Sequence, residues 1–307
     1  MYYFIVNPNS RSGKGALIWK ELRRTLRQKH VSYKAVFTEY RGHAVKLAAS
    51  VTAKASPEHP VYLIAVGGDG TIQEVLSGVK DLSCIYFGYI PTGSGNDFCR
   101  SMQLPQDPHE ALNCILKRKH IASMDVPVIS IKGRKSHFAI SCGIGFDAAV
   151  CHEVGVTPMK KVLNRVGLGK LVYLFVALKQ LLFLKPVPVT LRMDEERIYP
   201  FHKVYFAAVM NQKYEGGGFK FCPDASPSDG YLDVIVVDGL SKLKVLFCLP
   251  TAFRGKHTQF TGIHIFRCKK VEVFSTVPLA VHKDGESAGI QETFSVSIEK
   301  EPVKIIL

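Results

Sequence analysis

The sequence predicts an α/β domain followed by an all-β domain, on three observations. Strand-like and helix-like segments alternate from residue 1 to 125. Beyond Asp125 short β-rich runs dominate. Glycine-rich turns end the predicted strands of the first part, at the sheet edge where open parallel sheets hold ligands.

The elements follow in order. YYFIV (2–6) reads as a strand that breaks at Asn7-Pro8, and residues 15–30 read as an amphipathic helix. Strand patterns at 33–38, 61–68 and 84–91 are separated by helix patterns at 43–55 and 71–80, and a further helix pattern covers 108–119. In the second part, runs at 126–131, 136–146, 187–193, 203–211, 231–238, 264–275 and 292–299 suggest an antiparallel sandwich or barrel. A helical insert over 159–184 interrupts them, and the domain boundary falls near Asp125.

The 307 residues suffice for two full cores. The start of the chain lacks the basic segment of a signal peptide. No apolar stretch free of charge reaches the about 20 residues of a membrane span; the nearest, 169–186, carries Lys170, Lys179 and Lys185. Eight cysteines show no C-x-x-C spacing, so neither zinc nor a redox pair is indicated. Free thiols in a reducing cytosol are the plain reading. The net charge of +14 implies an anionic partner without choosing among nucleic acid, membrane surface and phosphorylated substrate. Residues 159–185 hold Lys160, Lys161, Arg165, Lys170, Lys179 and Lys185 with no acid, and residues 239–271 hold seven Lys/Arg with none. No helix-turn-helix, RRM or zinc pattern supports nucleic acid.

NPNSRSGKG, Thr38, GGDGT and PTGSGND stand at four predicted strand ends. Glycines admit backbone N–H groups to a phosphate, and the following helix N-terminus favours its charge. Arg11 and Lys14 supply cations, while carboxylates beside a phosphate, here Asp69 and Asp97, suit Mg²⁺. Each piece alone could be an ordinary turn. SGKG is not a Walker loop, because Pro8 stands where a glycine is needed and Gly15 where Ser/Thr is. In the second part, Asp229-Gly230 and Asp284-Gly285 are hairpin signals. Glu286, beside Lys283 and His282, turns the second of these towards general-base or metal chemistry. Three glycines in YEGGGF suggest a mobile loop, or backbone passing close to a ligand.

NPNSRSGKG, TEYRGHA, GGDGTIQEV, PTGSGNDFCR, MDV, N…GGGF…P…SDGYLDV and DGE, in this order, resemble the catalytic domain of diacylglycerol kinases. The chain resembles soluble bacterial lipid kinases of the diacylglycerol kinase/YegS-like family over nearly its whole length. GGDGT alone is shared with NAD kinases; with GSGNDF and a late DGE the pattern is specific. The resemblance implies an NAD-kinase/diacylglycerol-kinase-like α/β nucleotide-binding domain over 1–125 and a β-sandwich lipid-substrate domain over 126–307, with the site in the cleft. It allows the last residues to return to the first domain. It implies ATP across Asn7, Ser12, Gly13, Lys14, Thr38, Gly67, Gly68, Asp69, Gly70, Thr71 and Ser94, with Asn96 and Asp97 adjoining. Asp69, Asp97 and Asp125 match an acidic network around a catalytic Mg²⁺. Glu286 matches the family's catalytic residue, with Asp284 beside it, and the pair reads as the base for the acceptor hydroxyl. Both are expected to be needed for turnover and dispensable for folding. A second, structural Mg²⁺ falls on Asp229, Ser226 and Tyr231. Three positions depart from the family: a longer first loop, Gln73 in place of asparagine and Ser94 in place of threonine.

The expected activity is transfer of the ATP γ-phosphate to a lipid hydroxyl, most simply that of diacylglycerol. Phosphatidylglycerol, a sphingoid base, a polyprenol or NAD as acceptor, and a catalytically silent regulator, are the rivals. The expected place is the cytoplasm, at an anionic membrane surface, with Tyr173 and Phe175 in an interfacial segment. A homodimer is one option that the sequence leaves open.

Overall fold

A computed structural model describes residues 1–156 and 169–307, and all of their side chains except those of 155–156 and 169–174. Lys160, Lys161 and Arg165 lie outside the described residues, and the side chains of Lys170 and Tyr173 do as well.

The first domain alternates β1 (Tyr2–Val6), α1 (Ser10–Gln28), β2 (Tyr33–Phe37), α2 (His43–Thr52), β3 (Val61–Gly67), α3 (Asp69–Gly78) and β4 (Ile85–Pro91). α4 (Asp97–Met102), α5 (Pro108–Lys117) and β5 (Ile121–Met124) complete it. Among the described residues its sheet has the order β2-β1-β3-β4-β15-β5, where β15 is the terminal strand Val303–Ile306. The first four strands are mutually parallel. β15 pairs parallel with β4 and antiparallel with β5, so the chain's end lies inside the first domain's sheet.

β3 is an unbroken apolar run because both its faces are covered. Leu63 and Ala65 face Ile72, Val75 and Leu76 of α3. Ile64 and Val66 face Trp19, Leu22 and Leu26 of α1 and Leu112 and Ile115 of α5. Gly78 is required by the close α2–α3 contact, since a Cβ there would stand 2.2 Å from the Val45 carbonyl oxygen. From β1 the chain winds outward to β2 and then crosses to β3 on the other side. The carboxyl ends of β1 and β3 therefore flank a topological switch point.

The second domain holds β6 (Pro127–Ile131), β7 (Arg134–His137), β8 (Ser141–Gly145), β9 (Val187–Met193), β10 (Arg197–Met210), β11 (Leu232–Asp238), β12 (Ile263–Cys268), β13 (Lys270–Lys283) and β14 (Glu286–Ile298). α6 (Phe146–Val156), α7 (Gly169–Phe183) and α8 (Lys242–Ala252) accompany them. The long strands β10 and β13 each pair with β9 near their starts and with β8 near their ends. Bulges in both strands turn the sheet on itself and enclose Ile144, Leu191, Val209, Val234, Val271, Val281 and Phe294. A second core lies between this sheet and α6, α7 and α8, built on Val154, Val176, Leu181, Phe206, Val245 and Cys248.

The sequence patterns missed α4, β5, α6, α8 and β15, and read β7 and β8 as one run. α8 contains Pro250 and carries exposed apolar side chains, so it lacks a clean amphipathic stripe. β15 has four residues and finds its partners only in remote sequence. Ile305 of β15 is fully buried in the first domain's core. Ile305→Ala lowers stability by about 2–5 kcal/mol, read by denaturant unfolding with the fluorescence of Trp19, the chain's single tryptophan; an unchanged midpoint would show that β15 adds nothing to that core.

Candidate active site

Most of the first-domain candidates meet at the switch point. The Asn7 amide donates to the Val66 carbonyl (2.8 Å), and its side-chain Nδ2 donates to Thr71 Oγ1 (3.4 Å). Thr38 is tied to the same place through its amide and the Val6 carbonyl (2.9 Å). Ser10 Oγ and Thr92 Oγ1 share a hydrogen bond of 2.7 Å, which fastens the first loop to the turn after β4. Arg11, Ser12 and Gly13 all take left-handed backbone conformations, which throw the exposed Arg11–Lys14 segment outward before α1 resumes.

Gly67 cannot carry a side chain, because a Cβ there would stand 2.2 Å from Thr71 Oγ1. The Gly67 carbonyl accepts from the Tyr89 hydroxyl (3.1 Å) and from the amides of Thr92 (2.7 Å) and Gly93 (3.1 Å). A Cβ on Gly93 would stand 2.8 Å from the Gly68 Cα, so the GGDG and GSGND loops lie backbone against backbone. Ser94 is exposed beside them.

The three carboxylates of the expected acidic network do not form one cluster. Asp69 Oδ2 accepts from the Asp97 amide (3.2 Å), while Asp69 Oδ1 is buried without a partner. Burial, reinforced by the nearby Asp97, pushes the Asp69 carboxyl up to about 7. Asp97 is committed on both oxygens, to the Arg100 guanidinium and to the Gly217 amide (2.6 Å). Burial raises its pKa, opposed by those two donors. Asp125 lies apart: its Oδ2 accepts from the Gly230 amide (2.7 Å) and its own amide donates to the Pro227 carbonyl (2.6 Å). It braces the SDG loop of the second domain rather than joining Asp69 and Asp97. The open donors near Asp69 are its own Oδ1 and Asn96 Oδ1, both buried and unpartnered. Two orphaned oxygens beside a glycine loop fit a hard cation.

The expected structural metal set fits less well. Asp229 Oδ1 accepts from the Tyr231 amide (3.0 Å), and Oδ2 is paired with the Arg267 guanidinium, which also lies 4.8 Å from the Tyr231 ring centre. A cation of the chain itself already neutralises Asp229, the one carboxylate of a set whose other two expected ligands are the main-chain carbonyls of Ser226 and Tyr231.

β13 and β14 turn through Asp284 (φ 46°) and Gly285 (φ 75°), a two-residue hairpin with both residues left-handed, as the Asp-Gly signal indicated. The same turn carries the chemistry. Asp284 accepts from the amides of Ala139 (2.7 Å), Ile140 (2.7 Å) and Ser141 (3.0 Å). Burial raises its pKa and these three amides oppose the rise. With its lone pairs so used, Asp284 is an anchor and not a free base, contrary to the paired-base expectation. Glu286 instead projects towards the first domain: a Cβ on Gly70 would lie 3.4 Å from its Oε1. Its Oε2 pairs with Arg41 (2.8 Å), and both side chains are half open to solvent. Arg41, from the loop between β2 and α2, is a site residue that the sequence reading passed over, although it stands within TEYRGHA. That loop is held by Glu74 of α3, which accepts from the amides of Gly42 (2.8 Å) and Ala44 (3.2 Å).

Comparison with known proteins identifies the fold and the family. Residues 1–128 match the diacylglycerol kinase catalytic domain, and residues 141–306 match the YegS C-terminal NAD kinase beta sandwich-like domain. The Bacillus subtilis protein named "Putative lipid kinase YtlR" is 30% identical over 99% of this chain and 98% of its own length. The diacylglycerol kinase of Mycobacterium tuberculosis is 29% identical over 91% of this chain and 87% of its own. A Bacillus anthracis diacylglycerol kinase structure superposes with a TM-score of 0.69 at 20% identity, covering 99% of this chain and 96% of that one. An ATP complex of the Archaeoglobus fulgidus NAD kinase shares the fold at a TM-score of 0.55 and 13% identity, over 100% of this chain and 94% of that one. The chain belongs to the diacylglycerol kinase/YegS-like family of lipid kinases.

Proposed function

We propose that the chain transfers the γ-phosphoryl group of ATP to the free hydroxyl of diacylglycerol, giving phosphatidic acid and ADP. The observation that carries this reading is the meeting of the second domain's Glu286 with the first domain's Gly70 loop. A solvent-open carboxylate, paired with Arg41, thus faces the backbone that would hold the phosphates. The acceptor's oxygen attacks the γ-phosphorus, the bond to the β-phosphate oxygen breaks, and the hydroxyl proton passes to Glu286. Positioning and charge neutralisation supply most of the rate in such a transfer. The Gly67–Thr71 loop and the N-terminus of α3 present N–H groups to the nucleotide's phosphates, and Arg41, paired with Glu286, is a solvent-exposed cation beside the transferred group. Asp69 and Asn96 would hold Mg²⁺, which when bound neutralises phosphate charge. The relatives' printed names favour diacylglycerol; phosphatidylglycerol, a sphingoid base, a polyprenol and NAD are the competing acceptors.

The acceptor is met at a membrane surface in this reading. No described helix is long and apolar enough to cross one. Phe183 of α7 and Phe247 of α8 are 76% and 74% exposed, and Leu182 and Leu243 lie open beside them. The Lys242 ammonium donates to the Leu182 carbonyl and joins the two helices. The helix that carries Phe247 lies within the acid-free basic run 239–271, whose Lys242 and Lys244 belong to the same helix. Each such cation near an anionic leaflet contributes about 1 kcal/mol.

Labelled γ-phosphate should appear in phosphatidic acid when diacylglycerol is offered in mixed micelles, and an acceptor panel with label elsewhere would reassign the substrate. Glu286→Gln lowers turnover by about 10²-fold or more with an unchanged melting temperature. Asp284→Asn lowers turnover and also stability, by about 2–4 kcal/mol, because its amide faces main-chain donors; an equally stable Asp284→Asn would contradict the anchor. Mg²⁺ has to displace the proton that Asp69 keeps below its raised pKa of about 7. Apparent Mg²⁺ affinity therefore rises as pH passes from about 6 to about 8, and Asp69→Asn flattens that dependence; a flat wild-type profile would remove Asp69 from the ion. Phe247→Asp weakens sedimentation with phosphatidylglycerol vesicles and spares ATP binding, whereas unaltered sedimentation would move the docking surface elsewhere.

A further inference from the structure

A buried cluster stands behind the catalytic turn. His282, in β13 and fully buried, places Nε2 2.9 Å from Asp147 Oδ2 at the start of α6 and 3.3 Å from Glu215 Oε1. Glu215 opens the triple-glycine loop, which its main chain closes by exchanging two hydrogen bonds of 3.0 Å with Phe219. Its Oε2 is buried without a partner. Gly143, opposite His282 in β8, makes room for the cluster: a Cβ there would stand 2.4 Å from Asp147 Oδ2 and 2.7 Å from His282 Nε2.

Among the described residues these three form the one group whose ligand atoms, all within 4.8 Å of one another, have the spacing of a metal site. The imidazole argues for a proton instead. Its Nδ1 faces the Gly285 amide at 3.4 Å, an accepting arrangement that puts the proton of a neutral ring on Nε2. In the charged ring Nε2 is protonated as well, while Nδ1 becomes a donor and no longer accepts from the Gly285 amide. Burial alone would lower the His282 pKa, but Glu215 and Asp147 overcome that and raise it to about 9. The atom that would bind a metal is the atom that carries N–H between two carboxylates.

The connections lead to both halves of the reaction. Forward along the chain, His282 is followed by Asp284, Gly285 and Glu286. On the other side, Glu215 opens the loop whose Gly217 amide donates to Asp97 (2.6 Å), and the Asp97 amide donates to Asp69 (3.2 Å). α6 grips the turn a second time, where His152 Nδ1 meets Ser287 Oγ (2.9 Å). We propose that His282 is a positioning residue for phosphoryl transfer, a proton-held clamp that fixes Glu286 and the Asp97–Asp69 side of the site relative to one another. The inference rests on the kinase reading and acts through Glu286 without touching substrate.

The experiment is a steady-state double-mutant cycle between His282→Ala and Glu286→Gln, with diacylglycerol in micelles and saturating Mg-ATP. Wild-type turnover tests the kinase reading by itself, before any variant is compared. A displaced base costs about 10²-fold in kcat, and we expect that loss in His282→Ala with both KM values within about threefold of wild type. In the Glu286→Gln background the same change has little further effect, because the base it positions is already gone. Glu215→Gln, which keeps the volume and loosens the clamp, gives a smaller loss of the same kind and serves where His282→Ala folds poorly. Losses that multiply across the cycle, an unchanged kcat in His282→Ala, or about one equivalent of transition metal in the purified wild-type protein that His282→Ala lacks would each overturn the clamp.

Discussion

Three main-chain amides, of Ala139, Ile140 and Ser141, converge on the Asp284 carboxylate, and the site depends on that convergence. A buried carboxylate is tolerated where donors surround it. These donors come from the segment that enters β8, and the acceptor sits at the tip of the hairpin between β13 and β14. The hairpin is thereby held so that Glu286 emerges facing the first domain. The left-handed conformation of Asp284 is unfavourable for a residue with a side chain, and the three bonds offset that cost.

The acidic residues divide into those whose oxygens are used and those whose oxygens are open. Asp97, Asp125, Asp229 and Asp284 accept from main-chain amides or guanidinium groups and act as struts. Asp69 retains one buried unpartnered oxygen, and Glu286 retains solvent access and a cationic neighbour. Two of these struts reach from the first domain into the second: Asp97 meets the triple-glycine loop, and Asp125 meets the loop before β11.

Fold class, domain order and family were legible because glycines, Asp-Gly pairs and alternating apolar runs are local signals. The burden of each carboxylate was not legible, since it depends on which remote amide arrives beside it. DGE reads as two neighbouring acids, yet one is an anchor and the other is open. The triple glycine read as a mobile loop or as backbone close to a ligand; what its backbone meets is the side chain of Asp97. Arg41 and Glu215 each stood within a quoted stretch, TEYRGHA and YEGGGF, and carried no pattern of their own. The helix Lys242–Ala252 escaped because its apolar side chains face outward as well as inward.

The position of β15 bears on how the chain is made. Synthesis runs from the N-terminus, and domains ordinarily fold as they leave the ribosome. Here the first domain's sheet has a vacancy between Ile85–Pro91 and Ile121–Met124 until residues 303–306 exist. The nucleotide-binding half therefore finishes folding last, although it is translated first. A truncated transcript or a premature stop leaves a gap in that half, with the apolar residues that cover Val303 and Ile305 open to proteases. The first domain's sheet is in this way complete only once residues 303–306 have been made.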